Sequence, residues 1–194
     1  MNFLAHIYLS GNNEELIVGN FIGDAIKGNR FNNYTNDIKQ GILLHRKIDY
    51  FTDNHEIVAK SKSKLREYYR KHAGIVIDIF YDHFLAKNWQ NYSNEDLGDF
   101  IQNAYKILMS HNNILPGEVM RYLPYMVLNN WLGSYKHIYS IKMILHGMSL
   151  RTSLPSKTNH AIEVLKNNYD EFDNEFNAFF KDIIVYTENE LKKI

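Results

Sequence analysis

The chain has 194 residues, with 22 basic side chains balanced by 22 acidic ones, 45% hydrophobic residues and 14% aromatic residues. That is enough apolar material for a sizeable core, which excludes global disorder, and the zero net charge argues against a general nucleic-acid binder. With no cysteine and nine histidines, disulfides, thiolate sites and a cysteine nucleophile are excluded, and any metal site has to be built from imidazoles and carboxylates.

The N-terminus, Met1-Asn2-Phe3-Leu4-Ala5-His6, lacks a basic region and loses its apolar character at His6, unlike a signal peptide. No apolar run reaches the roughly 18 residues that span a bilayer. The expectation is a cytoplasmic monomer or homodimer with no membrane or nucleic-acid partner. Prolines occur only at 116, 124 and 155, and helical spacing recurs nearly throughout. The chain therefore reads as all-α, a single-domain helical bundle over 1–194. Helices are predicted over 3–10, 14–27, 35–52, 55–71, 74–89, 94–110, 117–131, 135–148, 158–168 and 170–191, with 151–155 the clearest interior loop.

In the first helix His6 stands among Phe3, Leu4, Ile7 and Leu9, where a lone histidine is more often a satisfied core residue than a ligand. The second helix carries one charge beyond its first turn and before Lys27, Asp24. A buried carboxylate there needs a partner or a metal, whereas a surface Asp near a helix end needs neither. Gly19 and Gly23 each weaken that helix by about 1 kcal/mol, which predicts something packed closely against their side. In the third helix His45 and Asp49 are one turn apart beside the apolar stripe Leu44, Ile48 and Phe51. Asp53 continues the His45–Asp49 row by another four residues and reads as a cap or surface contact. The plainer reading is an ordinary amphipathic helix with a surface ion pair.

The fourth helix holds Lys60, Lys62, Lys64, Arg66, Arg70 and Lys71 within twelve residues against one acid, Glu67. A solvated face is the bland explanation, and a docking surface for an acidic partner the sharper one. The fifth helix is apolar almost all round yet carries Asp78, Asp82 and His83, groups whose burial demands partners. Two acid–histidine clusters in so small a chain suggest convergence on one site. Later, Asn129-Asn130-Trp131-Leu132, His137 and the segment from His146 to Arg151 either reach a pocket or pack. Ser149 and Arg151 are candidate phosphate contacts, because arginine binds phosphate through paired donors. The last helix, with Phe172, Phe176, Phe179 and Phe180, reads as core or dimer packing, an arm-like placement being the other option.

His6, Asp24, His45, Asp49, Asp78, Asp82 and His83 form a mixed His/carboxylate set suited to Mn²⁺, Fe²⁺, Zn²⁺ or Mg²⁺. On a helical scaffold such a set points to a metal-dependent phosphohydrolase. Neither a glycine-rich phosphate loop nor a nucleophilic serine motif competes.

The motifs Met1-Asn2-Phe3-Leu4-Ala5-His6, Gly19-Asn20 with Gly23-Asp24, Lys27-Gly28, Gly41-Ile42 with His45-Arg46, Ile48-Asp49, Thr52-Asp53 and Asp82-His83-Phe84-Leu85 together resemble the acyl carrier protein phosphodiesterase family. The likeness runs in order to about residue 90 and then weakly through Gly147-Met148-Ser149 and Arg151. It implies a fold similar to the HD-domain phosphohydrolases and hydrolysis of holo-acyl carrier protein to apo-carrier protein and 4′-phosphopantetheine. The implied cation is Mn²⁺, with Mg²⁺ or Fe²⁺ possible. The implied catalytic residues are Asp24, His45 and Asp82, and the implied metal ligands His6, Asp24, His45, Asp49, Asp82 and His83. Substrate contacts are expected from Arg46, Arg151, Lys62, Lys64 and Arg66, since the carrier protein is acidic. The adjacent pair here is Asp82-His83, the reverse of the His-Asp order that names the HD superfamily. Two other readings stay open. One is an HD-like phosphohydrolase of a nucleotide or other small phosphodiester, with no need of the basic helix. The other is a non-catalytic helical interaction protein that added Mn²⁺ would not stabilise.

Overall fold

The computed structural model describes residues 2–193, and every regular element among them is helical. In chain order the α-helices are α1 (Phe3–Tyr8), α2 (Glu14–Phe21), α3 (Asn36–Asn54), α4 (Glu56–Ser63), α5 (Arg66–Tyr69), α6 (Ala73–Lys87), α7 (Leu97–Ser110), α8 (Gly117–Leu128), α9 (Trp131–Ser134), α10 (Ile138–Arg151), α11 (Thr158–Asn167) and α12 (Tyr169–Leu191), with short 3₁₀ turns between some of them. The all-α expectation holds. The differences lie at helix ends: the predicted 14–27 helix stops at Phe21 and passes into a 3₁₀ turn, Gly23–Ala25, and the 55–71 helix divides between Ser63 and Arg66. No helix among the described residues is long and apolar enough to cross a membrane.

Side-chain chemistry sets several of these boundaries. Asn13 Oδ1 accepts from the Leu16 N–H at 3.1 Å and caps α2, and Asp96 caps α7 through the Gly98 N–H at 2.7 Å. α6 is the central helix, with Phe80, Tyr81, Phe84 and Leu85 fully buried. The last helix is a wall of the core, not an arm. Phe172, Phe176, Phe179, Phe180 and Ile183 of α12 are fully buried, and Phe176 meets Tyr81 at 5.5 Å between ring centroids. Burial of each such side chain is worth about 1.5–3 kcal/mol.

The tightest helix crossing is between α2 and α3. A Cβ on Gly19 would lie 2.1 Å from the Ile38 carbonyl oxygen, and one on Gly41 would lie 2.4 Å from that of Leu16. Only paired glycines let the two backbones approach this closely, and the approach brings the α2 carbonyls within reach of α3 side chains.

Candidate metal centre

Three consecutive helical segments and one turn supply the site. His6 lies in the last turn of α1, Asn20 near the end of α2, Asp24 in the Gly23–Ala25 turn, and His45 and Asp49 on one face of α3. Gly23 makes room for His45, since a Cβ there would sit 2.2 Å from the imidazole Cγ. The predicted close packing against Gly19 and Gly23 is thus met by two partners, the α3 backbone and the His45 ring.

The imidazoles of His6 and His45 stack with centroids 4.1 Å apart and planes inclined by 21°. Asp49 spans both, its Oδ1 3.2 Å from His6 Nε2 and its Oδ2 3.1 Å from His45 Nε2. Asp24 Oδ1 stands 3.4 Å from His45 Nε2 on the exposed side. His45 Nδ1 donates to the Asn20 carbonyl oxygen at 2.8 Å, and His6 Nδ1 pairs with Asn20 Oδ1 at 2.7 Å. With their Nδ1 atoms thus engaged, both rings direct Nε2 toward Asp49. The two Nε2 atoms are buried and have no hydrogen-bond partner of acceptable geometry. Leaving two such atoms unsatisfied costs free energy that a cation between them and the carboxylate would recover. Among the described residues His6, His45 and Asp49 form a group able to hold a metal, with one ligand atom from each lying within 4.8 Å of the others. The residues fit the ion that the donor chemistry implies.

Charge reinforces this arrangement. Burial, then the neighbouring His45, lowers the His6 pKa to about 4, so its lone pair is available at neutral pH. Burial also opposes a charge on His45, but Asp24 and Asp49 override it and raise the pKa to about 9. Burial pushes the Asp49 carboxyl up, yet the His45 and His6 rings hold it well below the usual carboxylate range. The His45 ring likewise lowers the pKa of Asp24.

Asp82 and His83 are not brought to this cluster. The fully buried Asp82 carboxylate faces the start of α1, accepting from the N–H groups of Leu4 at 2.8 Å and of Asn2 and Ala5 at 3.3 Å. Those are orphan donors of a helix N-terminus, which a carboxylate satisfies well. Burial still raises the Asp82 pKa to about 7 against those donors. His83 points away. Its Nδ1 donates to the Tyr135 carbonyl oxygen at 2.8 Å and its Nε2 accepts from the Tyr169 hydroxyl at 2.6 Å, leaving no ligand atom free. Asp78 also lies outside the group.

The expected substrate contacts are dispersed. Arg46 donates to the carbonyl oxygens of Ile26 and Gly28, both at 2.8 Å, and covers the Phe31 ring, so it fastens the loop after Asp24. Lys60 and Lys64 are paired with Glu171 and Glu175 of α12, and Lys62 with Asp53 at 2.7 Å. Arg66 lines a concave, mainly basic surface with Arg70, Lys71 and the Lys62–Asp53 pair, and among the described residues Arg66, Arg70 and Lys71 form no ion pair. Arg151 and Asp24 both line a cavity of about 480 Å³ whose walls include Phe3, Trp131, Met143 and Met148. Asn20 stands in the sequence as part of the Gly19-Asn20 motif and as an amide in an otherwise apolar segment, but nothing there gives it a role at the site.

A family profile described as "Acyl carrier protein phosphodiesterase" matches residues 1–183. Curated relatives carrying that name include one from Photorhabdus laumondii, 30% identical over 97% of this chain and 96% of its own length. Another, from Enterobacter sp., is 31% identical over 97% of this chain and 98% of its own. A third, from Shigella boydii, is 35% identical over 78% of this chain and 79% of its own. No solved structure matches the chain.

Proposed function

The chain belongs to the acyl carrier protein phosphodiesterase family, and from that premise we propose that it hydrolyses the phosphodiester joining 4′-phosphopantetheine to a serine of holo-acyl carrier protein. The products are apo-carrier protein and 4′-phosphopantetheine. The observation that supports this reading is the pair of buried Nε2 atoms of His6 and His45, which meet Asp49 at ion-pair distance without hydrogen-bond geometry. We read these three as the ligands of a divalent cation in a single helical domain of a cytoplasmic protein. Two imidazoles and one carboxylate favour Mn²⁺ or Fe²⁺ over the oxygen-seeking Mg²⁺. When bound, such a cation supplies positive charge to a phosphoryl oxygen and acidity to a water.

The chain's own side chains do the rest. Asp24, ionised and open to the cavity, accepts a proton from the attacking water at Oδ1. The water oxygen bonds to phosphorus, the bond from phosphorus to the serine oxygen breaks, and that oxygen leaves with a proton from solvent. Arg151 holds the phosphate through its guanidinium, and the apolar cavity wall of Phe3, Trp131, Met143 and Met148 receives the pantetheine arm and thins the water around it. Asp82 acts indirectly, fixing the start of α1 and so the placing of His6. The acidic carrier docks on Arg66, Arg70 and Lys71, the basic residues of this region held in no ion pair among the described residues.

The test is to incubate holo-carrier protein with the enzyme and Mn²⁺ and weigh the product. Loss of the phosphopantetheine mass is expected, and an unchanged mass overturns the assignment. In the same assay, reversing Arg66, Arg70 and Lys71 to Glu raises KM at least several-fold, whereas an unchanged KM removes the docking surface.

A further inference from the structure

The structure assigns to Asn20, with Ser10 behind it, the task of fixing which nitrogen of His6 faces the metal centre. This rests on reading His6, His45 and Asp49 as that centre. Asn20 is fully buried and both polar atoms of its side chain are engaged. Nδ2 donates to the His6 carbonyl oxygen at 3.0 Å and to Ser10 Oγ at 2.8 Å, and Oδ1 faces His6 Nδ1 at 2.7 Å. Ser10 Oγ gives its own proton to the same His6 carbonyl oxygen at 2.8 Å, so toward Asn20 it only accepts. That carbonyl is open to side chains because the Ser10 N–H bonds instead to Ile7 as α1 ends.

These contacts allow the amide one orientation. Its NH₂ must face the two acceptors, so its oxygen must face the ring. An oxygen there requires the proton of neutral His6 on Nδ1 and leaves the lone pair on Nε2, which is the ligand tautomer. A reversed amide would press an NH₂ against Nδ1, move the proton to Nε2 and block coordination. The main-chain carbonyl of the same residue takes the Nδ1–H of His45. One residue thereby sets both imidazoles, the first by its side chain and the second by its backbone, so a side-chain substitution acts on His6 alone. His6, Asn20 and Ser10 are all buried, and solvent cannot replace the missing partner. Outer partners of this kind govern metal affinity as strongly as 10–100-fold.

The test is long-range ¹H–¹⁵N spectroscopy of the metal-free full chain at neutral pH, paired with Mn²⁺ titration. In the wild type His6 is expected as Nδ1–H with a bare Nε2; an Nε2–H form overturns the proposal. Asn20→Leu is expected to lose the Nδ1–H signature and weaken Mn²⁺ binding at least tenfold. Asn20→Asp, which keeps an acceptor, is expected to retain the signature. An Asn20→Leu chain that folds, keeps Nδ1–H and binds Mn²⁺ as the wild type does overturns the assignment. Should Asn20→Leu not fold, Ser10→Ala serves in its place. A partial loss of Nδ1–H and of Mn²⁺ affinity is then expected, and no change in either overturns the lock. A wild type that binds no Mn²⁺ yet holds His6 as Nδ1–H removes the metal-centre reading and supports the amide lock, so the two failures are distinguishable.

Discussion

In the proposed metal centre His45 is the residue on which the chemistry turns, because its raised pKa favours a proton that a bound cation would have to displace. Its two carboxylate neighbours raise its pKa to about 9, whereas His6 beside it is neutral down to about 4. The stacked rings thus share at most one charge near neutrality, and a cation takes the place of that proton. Metal binding below about pH 9 should release close to one proton per cation and weaken about tenfold for each further unit of acidification. Calorimetry in buffers of different ionisation enthalpy measures this directly, and binding with no proton release would contradict the charge assignment. His45 and Asp49 were readable from the sequence, since their four-residue spacing places them on one helical face. Asn20 was not, because an amide shows its purpose only when the groups it meets are known.

At the scale of elements, the site depends on how closely α2 and α3 cross. The Asn20 carbonyl reaches His45 only because Gly19 and Gly41 let the two backbones touch. Gly41→Ala would put a methyl 2.4 Å from the Leu16 carbonyl oxygen. Forcing the helices apart should cost about 3 kcal/mol, or about 10 °C in Tm for a chain of this size. A thermal melt checks it, and a Tm within about 2 °C of wild type would mean that the crossing tolerates the bulk. The glycines signalled a close neighbour in the sequence, but which helix would supply it lay in the tertiary structure. The same limit explains Asp82 and His83. Periodicity placed both on a buried helix and required partners for them, yet could not tell a metal from the N-terminus of α1 or from the Tyr135 carbonyl and the Tyr169 hydroxyl.

For the whole molecule, the core and the proposed site are organised by the same helices. α6 runs through the centre, tethers α1 by Asp82, and packs its aromatic side chains against α12. The run of basic residues at 60–71 suggested one continuous docking face. Folding divides it, because α12 brings Glu171 and Glu175 against Lys60 and Lys64 and leaves charge free only around Arg66, Arg70 and Lys71. That pairing spans more than a hundred residues of sequence, beyond the reach of local pattern. The central claim is that turnover of holo-carrier protein occurs where Asp24 meets the His6–His45–Asp49 group. Its most direct test is the rate at which Asp24→Ala releases 4′-phosphopantetheine, measured at saturating Mn²⁺ alongside Tm. Asp24 is exposed and its loss removes one of the two carboxylates beside His45, so the variant should fold with at most a small fall in Tm and lose turnover by at least about 100-fold; a folded variant with near wild-type turnover would contradict the account.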